Sequence, residues 1–433
     1  MNELSQKLNE DLKMENPYVE QMLSNLGKNL YYPKGILTQA SEATEKAYKY
    51  NATIGIATEK GEPMHFQHIH EGLSAYSPRD LYNYAPPAGK EDLRIEWKKK
   101  IFSENPSLKD KEISTPIVTN ALTHGLSVAA DLFIDEGDSL ILPDKYWGNY
   151  NFIFGIRRNA KIETYNLFNE DNKFNTTGLS NLIAKQEKKV ILLLNFPNNP
   201  TGYTPSEKEA NEVVNIIKDA ALSGKNIIVI IDDAYFSLFY ENSIKESIFS
   251  RIANIHERVL CVKIDGATKE NYAWGFRVGF ITYATDNKKV LNILEQKTKG
   301  IIRGTISSSS HPSQTFILKA MKSHQYQEQQ LLKYNIMKNR AQRVKSILDN
   351  NKKFEEVWSF YPFNSGYFMC LKLKKINAEE LRKSLLENRG IGTIAINKTD
   401  LRVAFSCVEE IDIDNLFEEI YQEAKKIQNR IYS

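Results

Sequence analysis

A lysine that follows a buried strand is the first residue in this sequence whose type and position suggest chemistry. Lys269 comes shortly after Val259–Ile264, a continuous apolar run typical of a strand buried on both faces. An ammonium group at such a strand end is poorly hydrated, so we expect its pKa to fall and leave a nucleophilic amine. Lysines of this kind form Schiff bases with carbonyl compounds, of which pyridoxal phosphate is the commonest. The stretch Asp265–Phe280 therefore predicts a covalent site.

Two more polar motifs follow predicted strands earlier in the chain. Asn195–Gly202, reading NFPNNPTG, follows the apolar run Lys189–Leu194, and Asp232 ends the next such run. Because an unpaired carboxylate there is costly, Asp232 is expected either to bind a cation such as a pyridinium N–H or to cap a helix. Tyr235 lies three residues further on and can hydrogen-bond the phenolic oxygen of such a ring.

The elements that position these motifs can be predicted from the hydrophobic pattern. Between residues 112 and 285, apolar strand-like runs alternate with helical patterns, which predicts an α/β fold with a mainly parallel sheet wrapped by helices. Ligands of such sheets bind where strand carboxyl ends meet helix N-termini, as these motifs do. One helix is predicted to start with Thr204 as its N-cap and Glu207 closing a capping box. A long helical region is predicted at 312–350.

Domain boundaries are predicted where the pattern changes. Residues 1–64 form an N-terminal segment that contributes to the small domain, and residues 65–315 form the large cofactor-binding domain. Residues 316–433 form the small C-terminal domain, which combines short strands with helices. Within the first segment, the helical spacing is broken at Pro17 and at Tyr32–Gly35.

The composition excludes several classes of partner. A net charge of +3 over 433 residues gives no reason to expect binding to nucleic acid or to an anionic membrane. The three cysteines are far apart and form neither a disulfide framework nor a zinc-binding spacing, so no metal site is expected. The N-terminus lacks the apolar core of a signal peptide, and the longest apolar runs are too short to cross a bilayer. We therefore expect a cytoplasmic protein.

Taken together, the motifs NxxxNPTG, DxAY and a lysine followed eight positions later by an arginine resemble the class I/II aminotransferases. The resemblance spans roughly residues 50 to 410, and it is nearest to the aspartate and aromatic aminotransferase branch. These are fold-type-I pyridoxal-phosphate enzymes. The resemblance therefore implies a seven-stranded sheet, pyridoxal 5′-phosphate as the cofactor, and a homodimer with shared active sites.

The resemblance implies a role for each matching residue of the three motifs. Lys269 corresponds to the lysine that binds the cofactor covalently and then moves a proton between the substrate Cα and the cofactor. Asp232 corresponds to the aspartate that keeps the pyridine nitrogen protonated. Tyr235 and Asn199 correspond to the pair that hydrogen-bonds the phenolate oxygen, and Arg277 to the arginine that binds the phosphate.

Further cofactor contacts are implied upstream. Thr123 and His124 align with the turn that binds phosphate through backbone N–H groups at a helix N-terminus. Trp147 matches the aromatic residue that stacks on the pyridine ring. Tyr84 resembles the tyrosine that reaches across the dimer interface to the neighbouring phosphate.

Substrate binding is implied at three positions. Arg402 matches the arginine that binds the substrate α-carboxylate, for which the bidentate guanidinium is well suited. Arg303, thirty-four positions after Lys269, matches the arginine by which dicarboxylate-using members bind the distal carboxylate from the partner subunit. Gly55 is assigned to the substrate site as well.

Two positions depart from the family pattern, and both concern the phosphate. Gly266 stands where the family usually has a phosphate-binding serine, and His124 stands where a small residue is common. The resemblance also implies that the Asn199–Pro200 peptide bond is cis.

Three functions remain open at this point. The first is transamination with ping-pong kinetics, using aspartate, glutamate or an aromatic amino acid and a 2-oxo acid such as 2-oxoglutarate. The second is another pyridoxal-phosphate reaction on the same scaffold, such as a β-lyase, decarboxylase or synthase. The third is a non-catalytic pyridoxal-binding regulatory protein, although the first fifty residues are too short for a DNA-binding module and its linker.

Overall fold

The computed structural model describes residues 2–30, 36–74 and 76–432, so the predicted break at Tyr32–Gly35 lies outside the described residues. Fifteen strands are assigned within these ranges. In chain order they are β1 Tyr50–Asn51, β2 Thr58–Glu59, β3 Glu62–Pro63, β4 Ile117–Asn120, β5 Ser139–Pro143, β6 Lys161–Tyr165, β7 Lys189–Asn195, β8 Asn226–Asp232, β9 Val259–Gly266, β10 Val278–Ala284, β11 Trp358–Phe360, β12 Phe368–Leu373, β13 Ile391–Gly392, β14 Ile394–Ala395 and β15 Asp400–Ala404.

The described residues also form seventeen α-helices, which connect and cover the strands. They are α1 Glu3–Glu15, α2 Pro17–Met22, α3 Asn25–Asn29, α4 Ile36–Lys46, α5 Gln67–Gly72, α6 Pro78–Leu81, α7 Glu91–Glu104, α8 Ala121–Phe133, α9 Thr176–Lys185, α10 Glu207–Leu222, α11 Ile248–Ile252, α12 Ala267–Glu270, α13 Lys288–Thr305, α14 His311–Lys322, α15 Tyr326–Asn350, α16 Ala378–Arg389 and α17 Ile413–Tyr432.

Seven strands form one large sheet, in the order β4-β10-β9-β8-β7-β5-β6. Neighbours from β9 to β6 pair in parallel, whereas β10 runs antiparallel to both β9 and β4. The predicted mainly parallel α/β sheet is therefore confirmed. Parallel strands require coverage on both faces, and separate apolar cores lie on the two sides of this sheet.

The carboxyl ends of the central strands bring the predicted site together. In the register of β7, β8 and β9, Asn195 lies beside Asp232, and Asp232 lies beside Ile264. Strand β9 ends at Gly266, and α12 begins at once and carries Lys269. Three consecutive sheet neighbours thus present their motifs at one edge of the sheet.

A second, antiparallel sheet of four strands, β11-β12-β15-β14, lies near the C-terminus. A short parallel pairing of β1 with β13 ties Tyr50 and Asn51 to this part of the chain. Residues 50–51 therefore lie beside the C-terminal part of the chain, while the domain boundaries after residues 64 and 315 stay predictions.

Two local predictions differ from the structure. The helical region at 312–350 is two helices, α14 and α15. The N-cap of α10 is Ser206, paired with Glu209 in a capping box, and the prediction of Thr204 as the cap was wrong. The Thr204 hydroxyl instead lies 2.7 Å from Ser365 Oγ, a tertiary contact that local sequence does not reveal.

None of the helices found in residues 2–30, 36–74 and 76–432 combines the length and the apolar character that crossing a bilayer requires.

Candidate active site

A cavity of about 240 Å³ at the carboxyl end of the large sheet brings most of the predicted site residues together. Its walls come from the strand ends, from the start of α8, from the segment after β1, and from β12 and β15. The predicted residues that line it are Gly55, Thr123, Trp147, Asn199, Asp232, Tyr235, Lys269, Arg277 and Arg402.

Asp232 is the buried carboxylate of this cavity. Tyr150 donates a hydrogen bond to its Oδ2 at 2.6 Å, and the backbone N–H of Ala234 donates to its Oδ1 at 3.1 Å. Burial raises the pKa of Asp232, while the Tyr150 hydrogen bond and the charge of Lys269 oppose that rise. Asn195 holds the strand end by donating to the Asp232 carbonyl at 2.8 Å. A cationic ring nitrogen suits such a site, since it would compensate the buried charge.

Lys269 has the properties of an amine nucleophile. Burial lowers its pKa to about 8, against the opposing charge of Asp232. Its Nζ lies 5.1 Å from the ring centroid of Tyr235. Tyr367 donates a hydrogen bond to the Lys269 carbonyl at 3.3 Å, so the residue just before β12 supports the backbone beneath the amine. About a tenth of the amine is therefore unprotonated at pH 7, far more than in a lysine with the ordinary pKa.

Arg402 and Asn199 form a buried pair across the cavity. Arg402 NH1 donates to Asn199 Oδ1 at 2.9 Å, and its NH2 donates to the Thr53 carbonyl at 2.8 Å. The guanidinium also stacks over Phe368, with its Cζ 4.2 Å from the ring centroid. Arg402 Nε has no hydrogen-bond partner within the described part of the chain. The group is rigidly held and keeps an unused donor for an anionic ligand.

The cavity wall that includes the start of α8 combines features that suit a phosphate. Leu122 and Thr123 lie in the first turn of α8, where N–H groups without intrahelical partners bind anions, and Arg277 lines the same cavity. The N–H of Ala121 is already used, since it donates to the Arg277 carbonyl at 3.0 Å. Thr268 is buried, and its hydroxyl finds no hydrogen-bond partner among the residues that the structure describes. An unused buried hydroxyl beside a helix N-terminus is what a bound phosphate would satisfy.

The departure at Gly266 has a steric cause. A Cβ atom at this position would lie 2.6 Å from the Val278 carbonyl oxygen and 2.7 Å from Gly279 Cα. Backbone atoms of β10 cannot move aside as a flexible side chain could, so the serine of the family pattern does not fit here. The hydroxyl of Thr268, two residues on, lies in the cavity wall instead.

Three predicted site residues do not line the cavity within this described chain. Tyr84 is 94% exposed. Arg303 is exposed on α13, where it donates to Ser307 Oγ at 2.5 Å. His124 lies on α8, and its Nδ1 accepts a hydrogen bond from the backbone N–H of Asn120 at 3.1 Å. The roles of all three stay predictions.

Several residues of the site were missed in the sequence. Tyr150, Asn195 and Thr268 line the cavity, yet none of them was predicted to be a site residue, although Asn195 and Thr268 lie within the motif stretches. The sequence did contain an indication for Tyr150. It follows Trp147 by three residues, about one helical turn, and this spacing places two side chains on the same side. The cis peptide bond predicted at Asn199–Pro200 is present, and Phe196–Pro197 is cis as well.

Comparison with known proteins agrees with this geometry. The family model described as aminotransferase class I and II matches residues 56–420, which is most of the chain. The chain belongs to this family. It is therefore a pyridoxal-phosphate-dependent aminotransferase, and the residues lining the cavity fit that cofactor.

Individual relatives are distant. The aspartate aminotransferase of Sulfurisphaera tokodaii is 24% identical over 360 residues, covering 80% of this chain and 84% of its own. That of Bacillus sp. strain YM-2 is 25% identical, covering 64% of this chain and 67% of its own. Among solved structures, an aminotransferase from Anaerococcus prevotii has a TM-score of 0.84 at 24% identity, with 93% of this chain and 99% of that chain covered. The structural likeness establishes the fold.

Proposed function

We propose that this aminotransferase moves an amino group between an L-amino acid, either aspartate or glutamate or an aromatic one, and a 2-oxo acid such as 2-oxoglutarate. The observation that carries the proposal is the convergence of Lys269, Asp232 and Arg402 on one cavity. Relatives named aspartate aminotransferase support a dicarboxylate substrate. A structural neighbour from Burkholderia cenocepacia, described as an aromatic amino acid aminotransferase, keeps aromatic donors open.

The chemistry divides between the cofactor and the protein. When bound, pyridoxal phosphate supplies a protonated ring that withdraws electrons from the bonds to the substrate Cα. Lys269 Nζ would hold the cofactor covalently, and once released its amine would serve as the base that takes the substrate Cα proton and as the acid that gives it back. Asp232, supported by Tyr150, holds the ring nitrogen protonated.

The other residues that line the cavity would hold the remaining parts of the cofactor. Trp147 would stack on the ring, and Tyr235 with Asn199 would donate to its phenolate oxygen. Since Asn199 Oδ1 already accepts from Arg402, its Nδ2 remains the donor for that oxygen. The first turn of α8 at Thr123, with Arg277, binds the phosphate.

Arg402 binds the substrate α-carboxylate. Its hydrogen bonds to Asn199 and Thr53 fix the guanidinium plane before a substrate arrives, which reduces the entropy lost on binding. Gly55 lies beside Tyr235 and Phe368, where an added Cβ would be 3.5 Å and 3.6 Å from their side chains. A side chain there would take space that the substrate needs.

We propose a homodimer in which Tyr84 and Arg303 act on the neighbouring site. Their exposure in the single chain supports this assignment, since a residue that serves a partner has to be accessible before assembly. Mixing inactive Tyr84→Ala and Lys269→Ala chains tests it. Hybrid dimers would contain one site with both residues intact, so partial recovery of activity is expected, and no recovery would contradict sharing.

The near-neutral charge is compatible with a cytoplasmic location.

The visible absorption spectrum of the purified protein with pyridoxal phosphate tests the function. Addition of L-aspartate should bleach the band of the lysine-bound cofactor, and a 2-oxo acid should restore it. Bleaching by L-tyrosine alone would keep transamination and discard Arg303 as a distal-carboxylate ligand. Absence of the lysine-bound cofactor band in the wild-type protein would overturn the proposal. The spectrum of Lys269→Ala with pyridoxal phosphate serves as the reference for cofactor that is not bound to lysine.

A further inference from the structure

A fully buried lysine lies among carboxylates on the side of the sheet away from the cavity. The Lys263 side chain is 1% exposed, and its Nζ forms an ion pair with Asp233 and another with Asp265 Oδ2 at 3.2 Å. Burial alone would lower the pKa of Lys263, but the two carboxylates outweigh it and raise the pKa. The lysine is therefore charged. Buried ion pairs contribute little net stability, so their presence suggests another role.

The geometry of the strands connects this cluster to the site. Asp232 and Asp233 are consecutive, so their side chains project to opposite faces of the sheet. Asp232 accepts from Tyr150 in the cavity, whereas Asp233 pairs with Lys263 behind it. The backbone N–H of Asp233 also donates to the Ile264 carbonyl at 2.9 Å, which fixes β8 against β9 at this point.

Neutral groups complete the surroundings of the cluster. Ser247 Oγ donates to Asp233 Oδ2 at 2.5 Å, and Trp97 Nε1 donates to Asp265 Oδ2 at 3.1 Å. The ring of Phe236 covers the lysine, with Lys263 Nζ 5.0 Å from its centroid. Water is thereby excluded, and charge effects are weakly screened in such surroundings.

A second ion cluster lies beside the first and touches the segment that carries the nucleophile. Lys100 on α7 pairs with Glu270, which directly follows Lys269, and also with Glu104. Its Nζ lies 5.7 Å from the centroid of Phe236, the ring that also covers Lys263. Lys100 and Glu104 on α7 and Glu270 on α12 are thus the further charged groups beside the Lys263 cluster.

We propose that Lys263 is a positioning residue whose charge, balanced by Asp233 and Asp265, sets the electrostatic potential at Asp232 and Lys269 across the sheet. The inference rests on the proposed roles of Asp232 and Lys269. Burial raises the pKa of Asp232, and the charge of Asp233 adds to that rise. By pairing with Asp233, Lys263 reduces this repulsion and so helps Asp232 stay ionised.

Two variants with opposite changes of charge test the proposal. Lys263→Met makes the potential at Asp232 and Lys269 more negative, which favours the protonated form of the group that Lys269 forms with the cofactor. Asp233→Asn makes this potential more positive and has the opposite effect. In the cofactor-loaded protein, the pH midpoint of the lysine-bound cofactor band should rise in the first variant and fall in the second, each by about 0.5 unit or more. A purely structural role would not produce shifts of opposite sign.

A buried cation outside the large sheet provides the matched control. Arg382 on α16 is 3% exposed and pairs with Glu42 at 2.9 Å and with Glu379 at 2.7 Å. Arg382→Met should lower the thermal midpoint of unfolding without moving the spectral midpoint. Lys263→Arg, which keeps the charge, should restore the wild-type midpoint.

A second readout covers the case in which Lys263→Met fails to fold. In the apoprotein, the extent of reductive methylation at Lys269 can be followed against pH by peptide mass spectrometry. The midpoint of this curve should lie at lower pH in Asp233→Asn than in the wild type. Midpoints that stay unchanged, or that move in the same direction in both variants, would overturn the inference. A wild-type protein without a cofactor band would overturn the proposed function instead, while the methylation readout would still test the cluster.

Discussion

The Tyr150 hydroxyl donates a hydrogen bond to Asp232 Oδ2 at 2.6 Å, and both residues are buried. This contact joins the segment after β5 to the end of β8. It therefore connects Trp147, expected to stack on the cofactor ring, with Asp232, expected to bind the ring nitrogen. Trp147 packs edge-on against Tyr150, with the ring centroids 5.6 Å apart. Tyr150 thus supports both groups.

Tyr150→Phe is predicted to lower kcat/KM roughly 10- to 100-fold, because a hydrogen bond to a charged group contributes about 1.5–3 kcal/mol. Without this bond, Asp232 is less readily ionised. Steady-state kinetics of the loaded enzyme measure the effect. Tyr146→Phe is the control, since Tyr146 donates to Asn151 at 3.1 Å. An equal loss in both variants would contradict a specific role for Tyr150.

Thr268→Val is predicted to weaken cofactor binding about tenfold, since the phosphate would lose one hydrogen bond. Equilibrium titration of the apoprotein with pyridoxal phosphate measures this. Thr282 in β10 offers a matched control, because its hydroxyl is also buried and also without a partner in the described chain. Thr282→Val should leave the affinity unchanged. Unchanged affinity in Thr268→Val would exclude its hydroxyl from the phosphate site.

Gly266→Ser is predicted to destabilise the apoprotein by about 1–3 kcal/mol, because its Cβ would press against the backbone of β10. Urea unfolding gives the free energy. The variant should not bind the cofactor more tightly, although it restores the residue of the family pattern. A stable variant with tighter binding would show that the backbone adjusts at low cost.

The lowered pKa of Lys269 predicts a stability that depends on pH. Its pKa is about 8 in the folded apoprotein and near 10.5 when unfolded, so the unfolded chain binds more protons between these values. The contribution of Lys269 to the free energy of unfolding should therefore rise as the pH increases through this window. Denaturation of wild-type and Lys269→Met apoproteins at pH 7.5 and 9.5 isolates it. A difference that is constant with pH would contradict the lowered pKa.

The large sheet was predictable because its strands are buried on both faces and read as continuous apolar runs. The motif residues Asn199, Asp232 and Lys269 were predictable for a related reason: polar groups directly after such runs gather at one edge of a parallel sheet. Lys263 was overlooked inside one of these runs, although a charged residue there already required buried partners.

Other features depended on tertiary contacts that local sequence does not contain. Thr204 looked like an N-cap, but its hydroxyl contacts Ser365 in the segment between β11 and β12, and Ser206 caps the helix. The hydroxyl of Thr268 gains significance only once Gly266 is seen against β10. The roles proposed for Tyr84 and Arg303 depend on a second copy of the chain, and a single chain cannot reveal such contacts.

The covalent attachment point of the cofactor tests the central claim most directly. The protein loaded with pyridoxal phosphate is reduced with borohydride, digested, and mapped by mass spectrometry. We predict one labelled peptide, modified at Lys269, and loss of both label and turnover in Lys269→Ala without a change in the far-ultraviolet circular dichroism spectrum. A label on another lysine, or a Lys269→Ala variant with activity near that of the wild type, would contradict the account.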